Sequence, residues 1–192
     1  MTILFDLIFL TVALLALVIF DYPRSIILPL IKQHNRVLFK DDRFSVFLVF
    51  LCDNISWIIS AGIFLLGLGT LPTIFFYFGT ALMIFGFLLR QWAISALGPF
   101  FAPTVRIVKT HKIIERGPYR YIRHPSYTGM ILFLVGMAIA SRSFESIIFS
   151  ILIPLFGYFY RIRIEERSLI AHIGKPYAKY MQKTKMLVPY IL

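Results

Sequence analysis

The chain has 192 residues, of which 59% are hydrophobic and 17% are aromatic, and its mean hydropathy is +0.81. A soluble domain of this length needs more polar surface than this composition offers, so we expect the lipid bilayer to be the solvent for much of the chain. The apolar runs are continuous, which favours transmembrane α-helices over a β-barrel. The single cysteine excludes a disulfide framework and a thiolate metal site.

Five hydrophobic runs are predicted to be membrane spans. A helix of about 20 residues crosses the hydrocarbon core, and three runs fit this length: Leu4 to Phe20, Phe44 to Gly67 and Thr73 to Leu97. The first is interpreted as a retained span, because it lacks the basic start and the small-residue cleavage site of a signal peptide. Two shorter runs, Tyr127 to Ala140 and Ile147 to Tyr160, are predicted to form a helical hairpin. The predicted fold is therefore an all-α integral membrane protein with five transmembrane helices, the last two a short hairpin.

The basic residues predict the orientation of these spans. Five of them lie between Arg24 and Arg43, six between Arg106 and Arg123, and seven between Arg161 and Lys185. Positive loops remain on the cytoplasmic side, so we expect the N-terminus outside and the C-terminus in the cytoplasm. This distribution accounts for most of the net charge of +11 without nucleic acid as a partner.

Three charged residues lie inside the predicted spans: Asp6, which is near a helix end and is expected to extend to the interface, and Asp53 and Arg90, which need polar surroundings. Asp53, together with Asn54 and Ser56, is interpreted as a polar stripe that holds spans together, in preference to a ligand site. Arg90 lies near the cytoplasmic end of the third span. It either extends to the membrane surface or faces a site beneath the following loop, and the sequence leaves both interpretations open.

A polar segment between the third span and the hairpin carries the first motif, Gly-Pro-Tyr-Arg-Tyr-Ile-Arg-His-Pro-Ser-Tyr-Thr-Gly at 117–129. Gly117-Pro118 predicts a turn, and Pro125 disfavours the helical conformation at His124. We therefore expect a helix to begin at Pro125, with its free amide groups and positive dipole end directed toward the loop. An anionic group would bind there, although a basic loop beside the membrane also suits plain contact with lipid phosphates.

The second motif follows the last predicted span and contains Arg161, Glu165 and Glu166. Helical spacing places Arg161 and Glu165 one turn apart. The plainest explanation is an exposed ion pair worth about 0.2 to 0.5 kcal/mol. The combination with the first motif indicates a binding site instead, because the two charged stretches flank the hairpin and are able to close a common pocket over its cytoplasmic end.

These motifs, with Glu-Glu-Arg-Ser-Leu at 165–169 and Gly-Lys-Pro-Tyr at 174–177, resemble the isoprenylcysteine carboxyl methyltransferase family. The resemblance covers the C-terminal half of the chain and extends to phospholipid methyltransferases. It implies a membrane helical bundle that holds S-adenosylmethionine in a C-terminal pocket and methylates the carboxylate of an S-isoprenylated cysteine. Residues 1–97 are then the anchor, with helices 1–3, and residues 98–192 the catalytic part, with helices 4 and 5.

The resemblance also implies roles for individual residues. Arg161 matches the arginine that binds the prenylcysteine carboxylate, and Glu165 joins the cofactor contacts as the second catalytic residue. Thr104 stands where eukaryotic relatives carry a glutamine that touches the cofactor. The other implied cofactor contacts are His111, Lys112, Ile113, Ile114, Tyr119, His124, Pro125, Ser126 and Tyr127.

Three other functions remain open at this point. A phospholipid N-methyltransferase uses the same cofactor pocket but needs a base, for which Glu165, Glu166 or His124 is a candidate. A sterol-type reductase needs a nicotinamide cofactor, and a lipid-binding protein needs no catalytic group. The four histidines do not have metal-ligand spacing, so no metal is expected.

Overall fold

The computed structural model describes Thr11 and residues 37–40, 43–68, 71–101, 106–108 and 113–188. Almost all of the predicted first span lies outside these residues, as do Thr104, His111 and Lys112. Five helices follow one another in the described part: α1 (Arg43–Leu65), α2 (Ile74–Leu97), α3 (Pro125–Ala140), α4 (Phe144–Ile173) and α5 (Lys175–Lys183). Helices α1 and α2 confirm the second and third predicted spans.

Three of the described helices, α1, α2 and α4, are long and apolar enough to cross a membrane, and α3 is a shorter apolar helix of 16 residues. Large apolar side chains face outward along them, including Phe47 and Phe50 on α1 and Phe85 on α2. Such a surface is unfavourable in water and suits lipid. The chain is an integral membrane protein.

The predicted hairpin is present, but its second helix is not short. Helix α4 has 30 residues, equivalent to about 45 Å, and therefore exceeds a hydrocarbon thickness of about 30 Å. The predicted end at Tyr160 was wrong because no glycine or proline follows until Gly174, which has a φ of 69°. The helix thus continues unbroken from its apolar part into the charged sequence that begins at Arg161.

The predicted all-α class is confirmed by the described helices, and two short paired strands that the sequence did not predict accompany them. Strand β1 (Val37–Lys40) pairs antiparallel with β2 (Arg106–Val108), with Lys40 opposite Arg106. The strands lie just before α1 and after α2. Both segments contain β-branched residues and lie outside the predicted spans, where strand pairing satisfies their backbone groups.

Helices α2 and α3 pack antiparallel through glycines that recur every seven residues. Gly79 and Gly86 on α2 face Gly136 and Gly129 on α3. A Cβ atom on Gly86 would lie 2.5 Å from the amide nitrogen of Phe133, so no side chain fits there. Close backbone approach through small residues is a common way for membrane helices to associate.

Helices α1 and α4 are joined by buried polar groups. Ser56 donates to Ser150 over 2.9 Å, and the Tyr158 hydroxyl donates to Asp53 over 2.9 Å. The predicted polar stripe is confirmed for Asp53 and Ser56. It was wrong for Asn54, which is exposed and donates to a carbonyl of its own helix.

The charged residues of the two sequence motifs lie at one end of the bundle. The first turn of α1 contacts α4 at Arg161, and the last part of α2 contacts the start of α3 through Arg90 and Ser126. The α3–α4 turn lies at the opposite end, where the carbonyl of Arg142 accepts from the amide of Leu71. The two sequence motifs therefore meet at one end of the bundle.

Candidate active site

The centre of this end is a hydrogen-bonded chain through Tyr127. Arg161 Nε donates to the Tyr127 hydroxyl over 3.3 Å, and that hydroxyl donates to Glu165 Oε2 over 2.7 Å. Arg161 Nη1 donates to Ser45 Oγ over 2.7 Å. Arg161 is only 3% exposed. The interpretation of Arg161 and Glu165 as an exposed surface ion pair was therefore wrong.

Glu165 lies one turn nearer the water and has different surroundings. Its side chain is 28% exposed. Only Oε2 takes the hydrogen bond from Tyr127, and Oε1 has no hydrogen-bond partner among the described residues. Glu165 therefore offers an acceptor oxygen to a ligand, while Tyr127 fixes the other oxygen.

The His124-Pro125 turn forms the wall beside this chain. As predicted, α3 begins at Pro125, and His124 is its N-cap residue. The buried imidazole of His124 stacks on the Tyr127 ring, with 5.4 Å between centroids and an interplanar angle of 4°. Its Nε2 lies 3.1 Å from Glu166 Oε1, and its Nδ1 lies 4.0 Å from Glu165 Oε2. One imidazole thus stands between two consecutive carboxylates.

Tyr119 approaches the same region from the short 3₁₀ helix at Gly117–Arg120. Burial raises the pKa of its phenol well above the usual range, and the negative charge of Glu165 adds to the shift. The phenol therefore keeps its proton and is able to donate a hydrogen bond. Tyr180 on α5 donates to the Tyr119 carbonyl over 2.8 Å and ties this segment to the C-terminal part of the chain.

The structure brings together four of the predicted site residues by direct contact, namely His124, Tyr127, Arg161 and Glu165. The other described members lie around them. Pro125 and Ser126 are buried in the first turn of α3, Tyr119 is buried, and Ile113 and Ile114 are half-buried in an extended segment. His111, Lys112 and Thr104 stay predictions.

The contact made by Arg90 favours one of its two interpretations. Its Nη1 donates to the carbonyl of Ser126 over 3.3 Å. Arg90 therefore faces the start of α3 and the site rather than only the membrane surface.

Sequence reasoning missed several residues that support the site. Ser45 precedes Arg161 by 116 positions, and no sequence signal connects them. Glu166 was considered only as a possible base. It is buried and accepts from both Arg123 and His124. The sequence offered one signal: Glu166 follows the apolar Ile162 by one helical turn, and the structure buries Ile162 completely.

The described chain is thus an integral membrane helical bundle with a buried arginine and a ligand-accessible carboxylate at its charged end. Residues 79–171 match the model of the isoprenylcysteine carboxyl methyltransferase (ICMT) family. Over this segment the chain is similar to that family, which confirms the resemblance predicted from the motifs.

Individual relatives agree with this result. The chain is 32% identical over 117 residues to protein-S-isoprenylcysteine O-methyltransferase B of Arabidopsis thaliana. The aligned segment covers 59% of this chain and 59% of the plant protein. It is 30% identical over 115 residues to the protein-S-isoprenylcysteine O-methyltransferase of Saccharomyces cerevisiae, covering 59% of this chain and 48% of the yeast protein. The match therefore spans between about half and three fifths of these relatives.

The fold is similar to a solved membrane enzyme. The structure of the eukaryotic intramembrane Ras methyltransferase ICMT superposes with a TM-score of 0.66 at 27% sequence identity. The match covers 72% of this chain and 52% of that one. The similarity therefore includes most of the present chain but only about half of the eukaryotic enzyme.

Proposed function

We propose that this protein transfers a methyl group from S-adenosylmethionine to the C-terminal carboxylate of an S-isoprenylated cysteine. The observation that carries the proposal is the buried Arg161, joined through Tyr127 to the partly exposed Glu165. This arrangement offers a cation for an acceptor carboxylate and an anion for a polar cofactor on one helix. The names of the relatives supply the substrate class.

Arg161 is the proposed binding residue for the acceptor carboxylate. A guanidinium binds a carboxylate through two parallel hydrogen bonds, and its contacts with Ser45 and Tyr127 hold it in a fixed orientation. These two partners, among those of Arg161, are neutral hydroxyl groups. A carboxylate is able to replace one of them, because an ionised acceptor forms the stronger hydrogen bond.

The residues around Glu165 fit S-adenosylmethionine by the chemistry of their donors and acceptors. Oε1 of Glu165, which has no hydrogen-bond partner in the described part of the chain, suits a ribose hydroxyl or the amino group, and the neutral phenol of Tyr119 supplies a donor. The first turn of α3 at Pro125 and Ser126 presents the positive end of a helix, which suits the cofactor carboxylate. The resemblance implies further cofactor contacts from His111, Lys112, Ile113, Ile114, His124 and Tyr127.

The bound cofactor supplies an electrophilic methyl group on a sulfonium ion. The protein needs no general base for this reaction, because a terminal carboxylate with a pKa near 3.5 is already ionised at pH 7. Arg161 and Glu165 orient the two reactants, and orientation contributes on the order of 7 to 11 kcal/mol in a well-aligned pair. The buried surroundings of Arg161 exclude water, which favours a step in which opposite charges neutralise each other.

The membrane explains how the acceptor reaches the site. An isoprenyl tail dissolves in lipid, and α1, α2 and α4 carry apolar residues on their outer faces. The proposed orientation places the charged end and the C-terminus in the cytoplasm and the N-terminus outside, with residues 98–192 as the catalytic part.

Purified protein in detergent tests the proposal. We expect calorimetric titration to detect binding of S-adenosylmethionine and not of NADPH. Methyl transfer from labelled cofactor is expected to N-acetyl-S-farnesylcysteine and not to its methyl ester, which lacks the carboxylate. Transfer to phosphatidylethanolamine instead would replace the proposed acceptor, and binding of NADPH alone would reject the methyltransferase.

A further inference from the structure

A second buried ionic group, Arg123 with Glu166, lies beside the site and is linked to the Arg161–Tyr127–Glu165 chain through His124. Glu166 Oε1 accepts from Arg123 Nε over 2.7 Å and from His124 Nε2 over 3.1 Å. The side chains of Arg123 and Glu166 are 9% and 10% exposed. Burying two charges is unfavourable unless their geometry is well defined, so this pair needs an explanation.

The C-terminal segment 184–188 holds Arg123 and His124 in place. The amides of Arg123 and His124 donate to the carbonyls of Lys185 and Met186 over 2.8 and 3.1 Å. Arg123 Nη1 also donates to the carbonyl of Thr184. Leu187 is buried and packs against Ile162 and Tyr158 on α4. The His124-Pro125 turn is therefore fixed from the C-terminal end of the chain.

We propose that Glu166 is a positioning residue that sets the orientation and tautomer of His124 for cofactor binding. Glu166 Oε1 accepts a hydrogen bond from His124 Nε2, so the imidazole proton is on Nε2. The other ring nitrogen, Nδ1, then faces Glu165, and the imidazole stacks on the Tyr127 ring. Arg123 prevents Glu166 from turning away, because both donors share the same carboxylate oxygen. The inference rests on the proposed function for its ligand, but the state of His124 is observable without one.

The variants Glu166→Ala and Glu166→Gln separate positioning from plain stability. Glutamine keeps an acceptor oxygen for His124 and should retain cofactor affinity within about threefold. Alanine leaves His124 Nε2 without its acceptor, and loss of a hydrogen bond to a charged group corresponds to a roughly tenfold or greater change. We therefore expect Glu166→Ala to raise the dissociation constant and KM for S-adenosylmethionine at least tenfold while kcat changes much less. Arg167→Ala is the matched control, since Arg167 is exposed on the same helix.

The direct readout is the nitrogen chemical shifts of His124 in ¹⁵N-histidine-labelled protein without cofactor. The wild type and Glu166→Gln should show a proton on Nε2, and Glu166→Ala should show a mixture of tautomers. If Glu166→Ala proves too unstable to study, Arg123→Lys, which removes the Nε donor, should give the same mixed signal. Unchanged His124 shifts in both variants, or cofactor affinity in Glu166→Ala equal to wild type, would overturn the inference. Wild-type protein that binds no S-adenosylmethionine while His124 still responds to Glu166 would instead reject the proposed function.

Discussion

Arg161 and Glu165 are one helical turn apart, yet the proposed function assigns them different ligands, so their alanine variants should fail in different ways. In Arg161→Ala, Tyr127 still donates to Glu165 Oε2 over 2.7 Å, and the carboxylate keeps its orientation. Cofactor binding should therefore survive while the acceptor loses its cation. In Glu165→Ala, Arg161 keeps its bond to Ser45, but the acceptor oxygen proposed for the cofactor is gone.

The structure sets the expected size of the effects. Arg161 is buried, so its charged hydrogen bond to the acceptor is poorly screened and should be worth about 1.5 to 3 kcal/mol. At 1.36 kcal/mol per factor of ten, kcat/KM for the prenylcysteine should fall roughly 10- to 150-fold in Arg161→Ala. Glu165→Ala should weaken cofactor binding by a similar factor, because it too removes an ionised hydrogen-bonding group.

Two assays on each variant distinguish these outcomes: calorimetric titration with S-adenosylmethionine and methyl transfer to N-acetyl-S-farnesylcysteine. Arg163→Ala, on an exposed position of α4 between the two residues, is the control for general damage to the helix. Thermal unfolding of every variant in detergent checks that comparable folded fractions are measured. The reasoning is refuted if Arg161→Ala and Glu165→Ala both bind cofactor and turn over like wild type, or if both lose the same property to the same extent.

Three further predictions concern the bundle. Gly86→Ala should destabilise the protein by about 1 to 3 kcal/mol through backbone overlap with α3, whereas Gly62→Ala, whose Cβ meets nothing within 4 Å, should be neutral or stabilising in thermal unfolding. Ser150→Ala should lower the unfolding free energy by about 0.6 kcal/mol, the average for hydrogen bonds between membrane helices, since it removes the partner of the serines on α1. In a cysteine-free background, Lys183→Cys should resist a membrane-impermeant thiol reagent in intact cells and Glu145→Cys should react; the opposite pattern would invert the topology.

Hydrophobic length predicted the membrane helices α1 and α2 well, because a sufficient apolar length is a direct physical requirement in lipid. The bounds of α1 and α2 agree with the predicted spans to within a few residues. The end of α4 was different. A hydropathy pattern reports where the bilayer ends and not where the helix ends, so the continuation of α4 from Tyr160 to Ile173 was invisible to it.

The four contacting site residues were predictable because each lies in a motif with its own local signal. Pro125 fixed the start of α3 and so placed His124 and Tyr127, and helical spacing placed Arg161 and Glu165 on one side of α4. Ser45 was not predictable in this way. Its contact with Arg161 depends on how α1 packs on α4, which is a property of the assembled bundle.

Glu166 shows why residue type alone was misleading at the site. A glutamate beside the catalytic segment suggests a base, but the base role needs a carboxylate that is free to accept a proton from a substrate. In the structure Arg123 and His124 already occupy one of its oxygens. The helical phase decides which of the two consecutive glutamates is open to a ligand: Glu166 follows the fully buried Ile162 by one turn, and Glu165 has a 28% exposed side chain.

Helix α4 places Arg161 and Glu165 at different depths, because the two residues are one turn apart along its axis. Four residues advance a helix by about 6 Å along its axis, and over this distance the surroundings change from a buried guanidinium to a partly exposed carboxylate. Under the proposed function, a lipid-soluble acceptor meets the deeper residue and a water-soluble cofactor meets the shallower one. Tyr127 touches both, so its hydroxyl lies where the two reactants would have to meet. A soluble enzyme would need a separate apolar channel for the isoprenyl chain, whereas under the proposed function the bilayer itself would bring one reactant to the site.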